Sequence, residues 1–175
     1  MATERITFPG PDGTELAARL DMPEGPHLAT ALFAHCFTCS KDIPAARRIS
    51  ARLATMGIAV LRLDFKRLGH SEGEFSNTTF TSNVDDLIAA ARHLERKNMP
   101  PSLLVGHSLG GAAVIKAAVE IPTISAVATI GAPADPEHVS HNFGQALDDI
   151  QFSQDPERQE LVQAIAAEEA KNKFR

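Results

Sequence analysis

The sequence predicts an α/β fold: a mostly parallel six-stranded sheet with helices on both faces and further helices at the C-terminal end. Three observations carry that expectation. Short apolar runs alternate between residues 28 and 131 with longer stretches whose apolar positions recur at helical spacing. Two of the runs, "LATALFAH" and "IAVLRLDF", are nearly continuous in apolar character, as strands covered on both faces are. Glycine and proline stand between the segments, where turns need them.

The elements follow in chain order. "ERITFPGPDGTELAARLDMP" reads as strands over 4–8 and 14–22 joined by a turn of Pro, Asp and Gly, a hairpin. After Pro23, Gly25 and Pro26, the run 28–35 is a third strand, expected inside the sheet. Ile43, Ala46, Ile49, Leu53 and Met56 then repeat at helical spacing, with Asp42 available as N-cap and Gly57 as the stop. A strand over 58–65 leads into a loop over 66–79, and a second helix opens at Thr81 or Ser82 with Asp85 placed for a capping box. Val84, Leu87, Ile88, Ala91 and Leu94 line one side of that helix, and the prolines after Met99 end it. "SLLVG" (102–106), a helix over 109–120 and "ISAVATIG" (124–131) complete the alternation.

Beyond Gly131, two segments that each begin with Asp-Pro read as helices, and no seventh strand is visible. Residues 1–175 are expected as one domain, a core over 1–134 followed by a helical segment over 135–175. The final helix has only a thin apolar stripe, Leu161, Val162, Ile165 and Ala166, so it packs either weakly or against a second subunit, as a homodimer through the C-terminal helices.

Composition narrows the function. With 43% apolar and 22% charged residues, the chain is ordinary globular material. A net charge of -5 argues against nucleic acid, whose binders cluster Lys and Arg on one face. Arg47, Arg48 and Arg52 share a face of the first helix and read as solvated surface. No run nears the ~18 apolar residues that span a membrane, and "MATERITFPG" is unlike a secretory leader, so a cytoplasmic protein without a membrane partner is expected. Cys36 and Cys39 form a C-x-x-C with no second pair to complete a zinc site; two reduced cysteines, no metal and no cofactor are the expectation.

The chemistry concentrates in "LLVGHSLGGAA". A serine hydroxyl attacks an acyl carbon only beside a base and beside donors for the oxyanion that forms. In "GHSLGG" a strand ends and a helix begins within a few residues, so Ser108 takes a sharp turn that only small neighbours tolerate, and Gly106 and Gly110 supply them. The competing reading makes Ser108 a helix N-cap and the glycines mere packing aids. Phosphate-loop motifs are absent. Leu109, at the helix N-terminus, offers one oxyanion donor, and Phe37, in the loop after the third strand, offers the second.

Taken together, "FAHCFTCSKD", "VLRLDFKRLGHSEGEF", "LLVGHSLGGAA" and "IGAPADPEHV" resemble the α/β-hydrolase superfamily. More closely they resemble the hydrolase domain fused to OsmC-like domains in bacteria, over roughly residues 1–145. The resemblance implies an esterase-like acyl hydrolase with Ser108 as nucleophile and Phe37 and Leu109 as oxyanion donors. It also marks a truncated core. The superfamily supplies its acid and histidine after the serine, commonly following seventh and eighth strands that have no counterpart here. The OsmC-like portion is absent, and residues 146–175 resemble nothing in either.

Seven histidines stand as possible bases. Sites in such sheets lie at the carboxyl ends of the strands, which sets His27 at the wrong end. His93 lies off its helix's apolar stripe and reads as solvated; His107 adjoins Ser108, where neighbouring side chains diverge. His35 and His70 lie at the correct edge and read as loop braces or catalytic groups. His138 and His141 follow the sixth strand, with Asp135 near enough in sequence to orient one of them, and either this cluster replaces the missing pair or it is a capped helix start with two surface histidines. Two functions therefore stand: an esterase acting on short-chain carboxylic esters through an acyl-enzyme, or a catalytically weakened hydrolase-like module whose C-terminal helices mediate self-association.

Overall fold

Apolar and polar residues alternate along the first strand, and that alternation makes it an edge. In β1, Ala2–Pro9, only Ile6 and Phe8 are buried, one face inward and the other in solvent. The computed structural model describes residues 2–36, 40–66, 71 and 80–134, all within one compact unit, Met1–Pro136. β1 pairs antiparallel with β2, Glu15–Met22, as the expected hairpin. β3 (Ala29–Ala34), β4 (Ile58–Leu63), β5 (Leu103–His107) and β6 (Ala126–Ile130) complete a sheet of order β1-β2-β4-β3-β5-β6. β2 meets β4 antiparallel, and every later pairing is parallel. Each observed element begins and ends within two residues of its expected bounds.

The runs that read as doubly covered are so. β3 lies between β4 and β5, and Leu32, Phe33, Leu61 and Leu63 are all but inaccessible to solvent. Burying each such side chain contributes about 1.5–3 kcal/mol. Helix α1, Pro44–Thr55, covers one face over Ala31, Phe33, Val60 and Val105. Helices α2, Phe80–Arg96, and α3, Leu109–Ala118, cover the other over Leu32, Ala34, Leu61 and Leu104. Because the chain passes from α1 on one face to α2 on the other, strand order reverses at β3 and β5, and sheets of this kind place their sites at the carboxyl ends of such strands.

Three local expectations need correction. α1 is capped by Ile43 without a side-chain bond; Asp42 instead turns to Arg19 and Arg62. His93 is half-buried rather than free in solvent: its ring stacks on Phe8 at 4.6 Å, and its Nε2 is shielded from water. Cys36 is disulfide-bonded, so the reduced pair does not hold; Cys39, the only other cysteine, lies outside the described residues. The C-terminal helices, with their stripe and their dimer, lie outside them as well.

β6 neighbours β5 at the edge of the sheet, and its five residues are exposed. Val127 and Ile130 keep 41% and 44% of their surface. Among the described residues α3 alone packs against it, and incompletely.

Candidate active site

Strand β5 delivers Ser108 to the carboxyl edge of the sheet. Its parallel register with β3 sets Gly106 opposite Ala34, and its register with β6 sets His107 opposite Ile130. The next residue turns abruptly. Ser108 has φ 54° and ψ -125°, one of two non-glycine residues with positive φ among those described. Such a conformation costs a serine of order 1–3 kcal/mol and persists only where the surroundings impose it.

The surroundings do. A Cβ on Gly106 would lie 2.5 Å from the Gly110 carbonyl oxygen and 2.6 Å from the Gly111 Cα. One on Gly110 would strike the His35 carbonyl oxygen and stand 2.6 Å from that of Ala34. Both glycines thus let α3 start directly against β5 and the end of β3. Gly111, unremarked in the sequence reading, is equally tight against Ala132 at 2.7 Å. Two backbone bonds hold the bend, Ser108 N–H to the Ile130 carbonyl and Gly111 N–H to the Ser108 carbonyl, each 2.8 Å.

Ser108 occupies the N-cap position of α3, but its hydroxyl makes no capping bond to the helix. It is partly accessible, and the first amides of α3, Leu109 and Gly110, have no described backbone acceptor. Leading N–H groups of a helix are unsatisfied by geometry and carry partial positive charge. The arrangement presents a hydroxyl beside anion-seeking donors.

At the carboxyl ends of β3 and β4 lies a buried polar cluster. His35 Nδ1 donates to the Cys36 carbonyl at 2.6 Å, and its ring meets Phe65 edge-on at 5.2 Å. His35 Nε2 stands 3.6 Å from Asp64 Oδ1, too far for a hydrogen bond. Asp64, fully buried, accepts the Lys41 N–H at 2.6 Å and a short bond from the Lys41 ammonium. Its carbonyl takes the Ser71 hydroxyl at 2.8 Å. Asp64 and Lys41 escaped the sequence reading, although a carboxylate closing an apolar strand in "VLRLDF" is an available signal. Of the expected residues, Ser108, Leu109, Gly106, Gly110 and His35 converge here. His27 bonds Thr30 at 2.9 Å, before β3 begins. Phe37, His70, Asp135, His138 and His141 lie outside the described residues.

A family model described as serine aminopeptidase, S33, matches residues 39–162. The chain belongs to this family of α/β hydrolases. The chain is similar to an esterase domain from Rhodothermus marinus, 51% identical over 81% of this chain and 55% of that one, with a TM-score of 0.66. An α/β serine hydrolase without a lid from Xanthomonas campestris is 26% identical over 77% of this chain and 63% of that one, TM-score 0.68. Est1E from Butyrivibrio proteoclasticus, solved with ferulic acid bound, is 28% identical over 70% of this chain and 50% of that one, TM-score 0.65. No curated protein matches the chain. The S33 member spans less than two thirds of each of these structures. No described helix is long and apolar enough to cross a membrane.

Proposed function

We propose that this hydrolase cleaves short-chain carboxylic esters through an acyl-enzyme on Ser108. The observation that carries the reading is the Ser108 backbone, φ 54° and ψ -125°, imposed where β5 abuts α3. The Ser108 oxygen attacks the acyl carbon while its proton passes to a base. Negative charge moves to the carbonyl oxygen, where the Leu109 and Phe37 amides receive it. The alcohol leaves with the proton, and water repeats the sequence to release the acid. His141 or His138, oriented by Asp135, is the proposed base, and the likeness to domains fused to OsmC-like proteins belongs to the same proposal.

The test is turnover of p-nitrophenyl acetate together with fluorophosphonate labelling read by mass spectrometry. The reading expects label on Ser108 and loss of at least ~100-fold in rate in Ser108→Ala. Label elsewhere, or full activity in that variant, refutes it. Exposure of β6 favours a second reading, a weakened module that associates with itself. A monomer in light scattering with rapid turnover excludes that alternative. A cytoplasmic location is also proposed; disulfide bonding at Cys36 runs against it, because thiols there are kept reduced. Thiol titration of protein taken rapidly from cells decides: two free thiols per chain support the location and a retained disulfide refutes it.

A further inference from the structure

A groove of about 870 Å³ opens between α1 and the β2–β4 part of the sheet. Pro44, Arg47, Arg48 and Ala51 form its wall; their spacing of three, four and seven residues puts them on one face of α1. Its floor carries Arg19 and Arg62, which stand directly opposite each other in the β2–β4 register. Arg5 stands opposite Arg19 one strand further out. Like charges in facing positions destabilise a sheet unless something compensates them.

Compensation is complete for only one of the arginines. Arg62 is buried, with Nε on Asp21 at 2.7 Å and its terminal nitrogens on Asp21, Asp42 and the Lys41 carbonyl. Asp21 also accepts the hydroxyls of Thr3 and Ser50. Arg19 donates only Nε, to Asp42 at 2.7 Å; its terminal nitrogens have no acceptor among the described residues. Arg47 and Arg48 are exposed and have no ion pair among those residues. Four arginines therefore face two carboxylates, a local positive surplus on a chain of net charge -5.

We propose that this groove binds a small molecule through a phosphate-type dianion held by Arg19, Arg47 and Arg48. The guanidinium fork matches two oxygens of such a group at once. Asp42 already fixes the Arg19 side chain, so less freedom is lost when a ligand arrives. A surplus of two charges suits a dianion better than a carboxylate. The groove is open to solvent along its length, which leaves room for an organic part beside the anion. β3 separates the β2–β4 floor from β5 and Ser108, so the groove is distinct from the candidate active site.

The experiment titrates the full chain calorimetrically with inorganic phosphate, phenyl phosphate and acetate, each at ionic strength matched with sodium chloride. Saturable binding of both phosphates is expected, with acetate at least about tenfold weaker. Tighter binding of phenyl phosphate assigns a phosphorylated organic ligand, and equal binding assigns the free anion; either supports the dianion site. The exposed double variant R47A/R48A should weaken phosphate binding at least about tenfold with an unchanged circular dichroism spectrum. No saturable binding by the wild-type chain up to about 10 mM, or equal affinity in the variant, overturns the proposal.

Discussion

Replacing Gly110 with alanine tests whether crowding creates the Ser108 bend. The added carbon would sit 2.6 Å from the Ala34 carbonyl oxygen, against 3.4 Å for the start of ordinary contact, and would come closer still to that of His35. Neither obstacle is a side chain that can swing aside. Both belong to buried backbone, Ala34 as the last residue of β3, paired with β4 and β5, and His35 directly after it. The first turn of α3 must therefore move away from β3 by about 1 Å, and overpacking of this kind costs about 3 kcal/mol. A shift of that size at a nucleophile lowers the rate by about 100-fold. Denaturant melts measure the first effect, and p-nitrophenyl acetate turnover the second. Gly25→Ala is the control, since a Cβ there meets nothing within 4 Å. A Gly110→Ala protein with the stability and turnover of that control would show that the glycine is a bystander and that the bend has another cause.

Three further outcomes are expected. Arg62→Met should destabilise the fold by about 3–5 kcal/mol, because it strands the buried Asp21 carboxylate; a loss under about 1 kcal/mol in urea melts counts against the network. Burial alone would raise the Asp21 carboxyl, but hydrogen bonds from Arg62, Ser50 and Thr3 outweigh it and hold it below the usual carboxylate range. Its contribution is then complete above an unfolded value of about 3.9 and is lost as pH falls through the lower folded value, so Asp21→Asn should flatten the acid limb of stability against pH. Burial first, then the charges of Lys97 and Arg96, lower His93, so its contribution is whole above about pH 6.5 and fades as pH falls; His93→Leu melts that keep the wild-type slope between about pH 7 and 5 would contradict this.

Much of the fold is legible because its signals are local. The near-continuous runs of β3 and β4 announce strands covered on both faces, and helical spacing from Val84 to Leu94 announces α2. Gly57 reads as the stop of α1 and takes φ +82° there, with Leu28 packed where a Cβ would stand. The G-x-S-x-G segment likewise places Ser108 at a strand-to-helix junction. The strain at that junction follows from residues within four positions of one another and from the end of a neighbouring strand.

What stayed hidden joins residues remote in sequence. Arg62 reaches Asp21 across 41 positions, and Lys41 reaches Asp64 across 23. Asp42 reads as a cap from its neighbours, yet the register of β2 on β4 brings Arg19 and Arg62 to it, and a fixed guanidinium competes successfully with helix amides. His93 lies off the stripe that packs on the sheet, but β1 curls Phe8 beneath it.

The sequence by itself determined the order of strands and helices, the doubly covered centre of the sheet and the position of the serine bend. These depend on period and on steric limits that act between near neighbours. Tertiary structure alone decided which charges share a burial site, which arginines were left over in the groove and how bare the last strand is. Pairing energies of that kind exist only once the register has chosen each strand's companion.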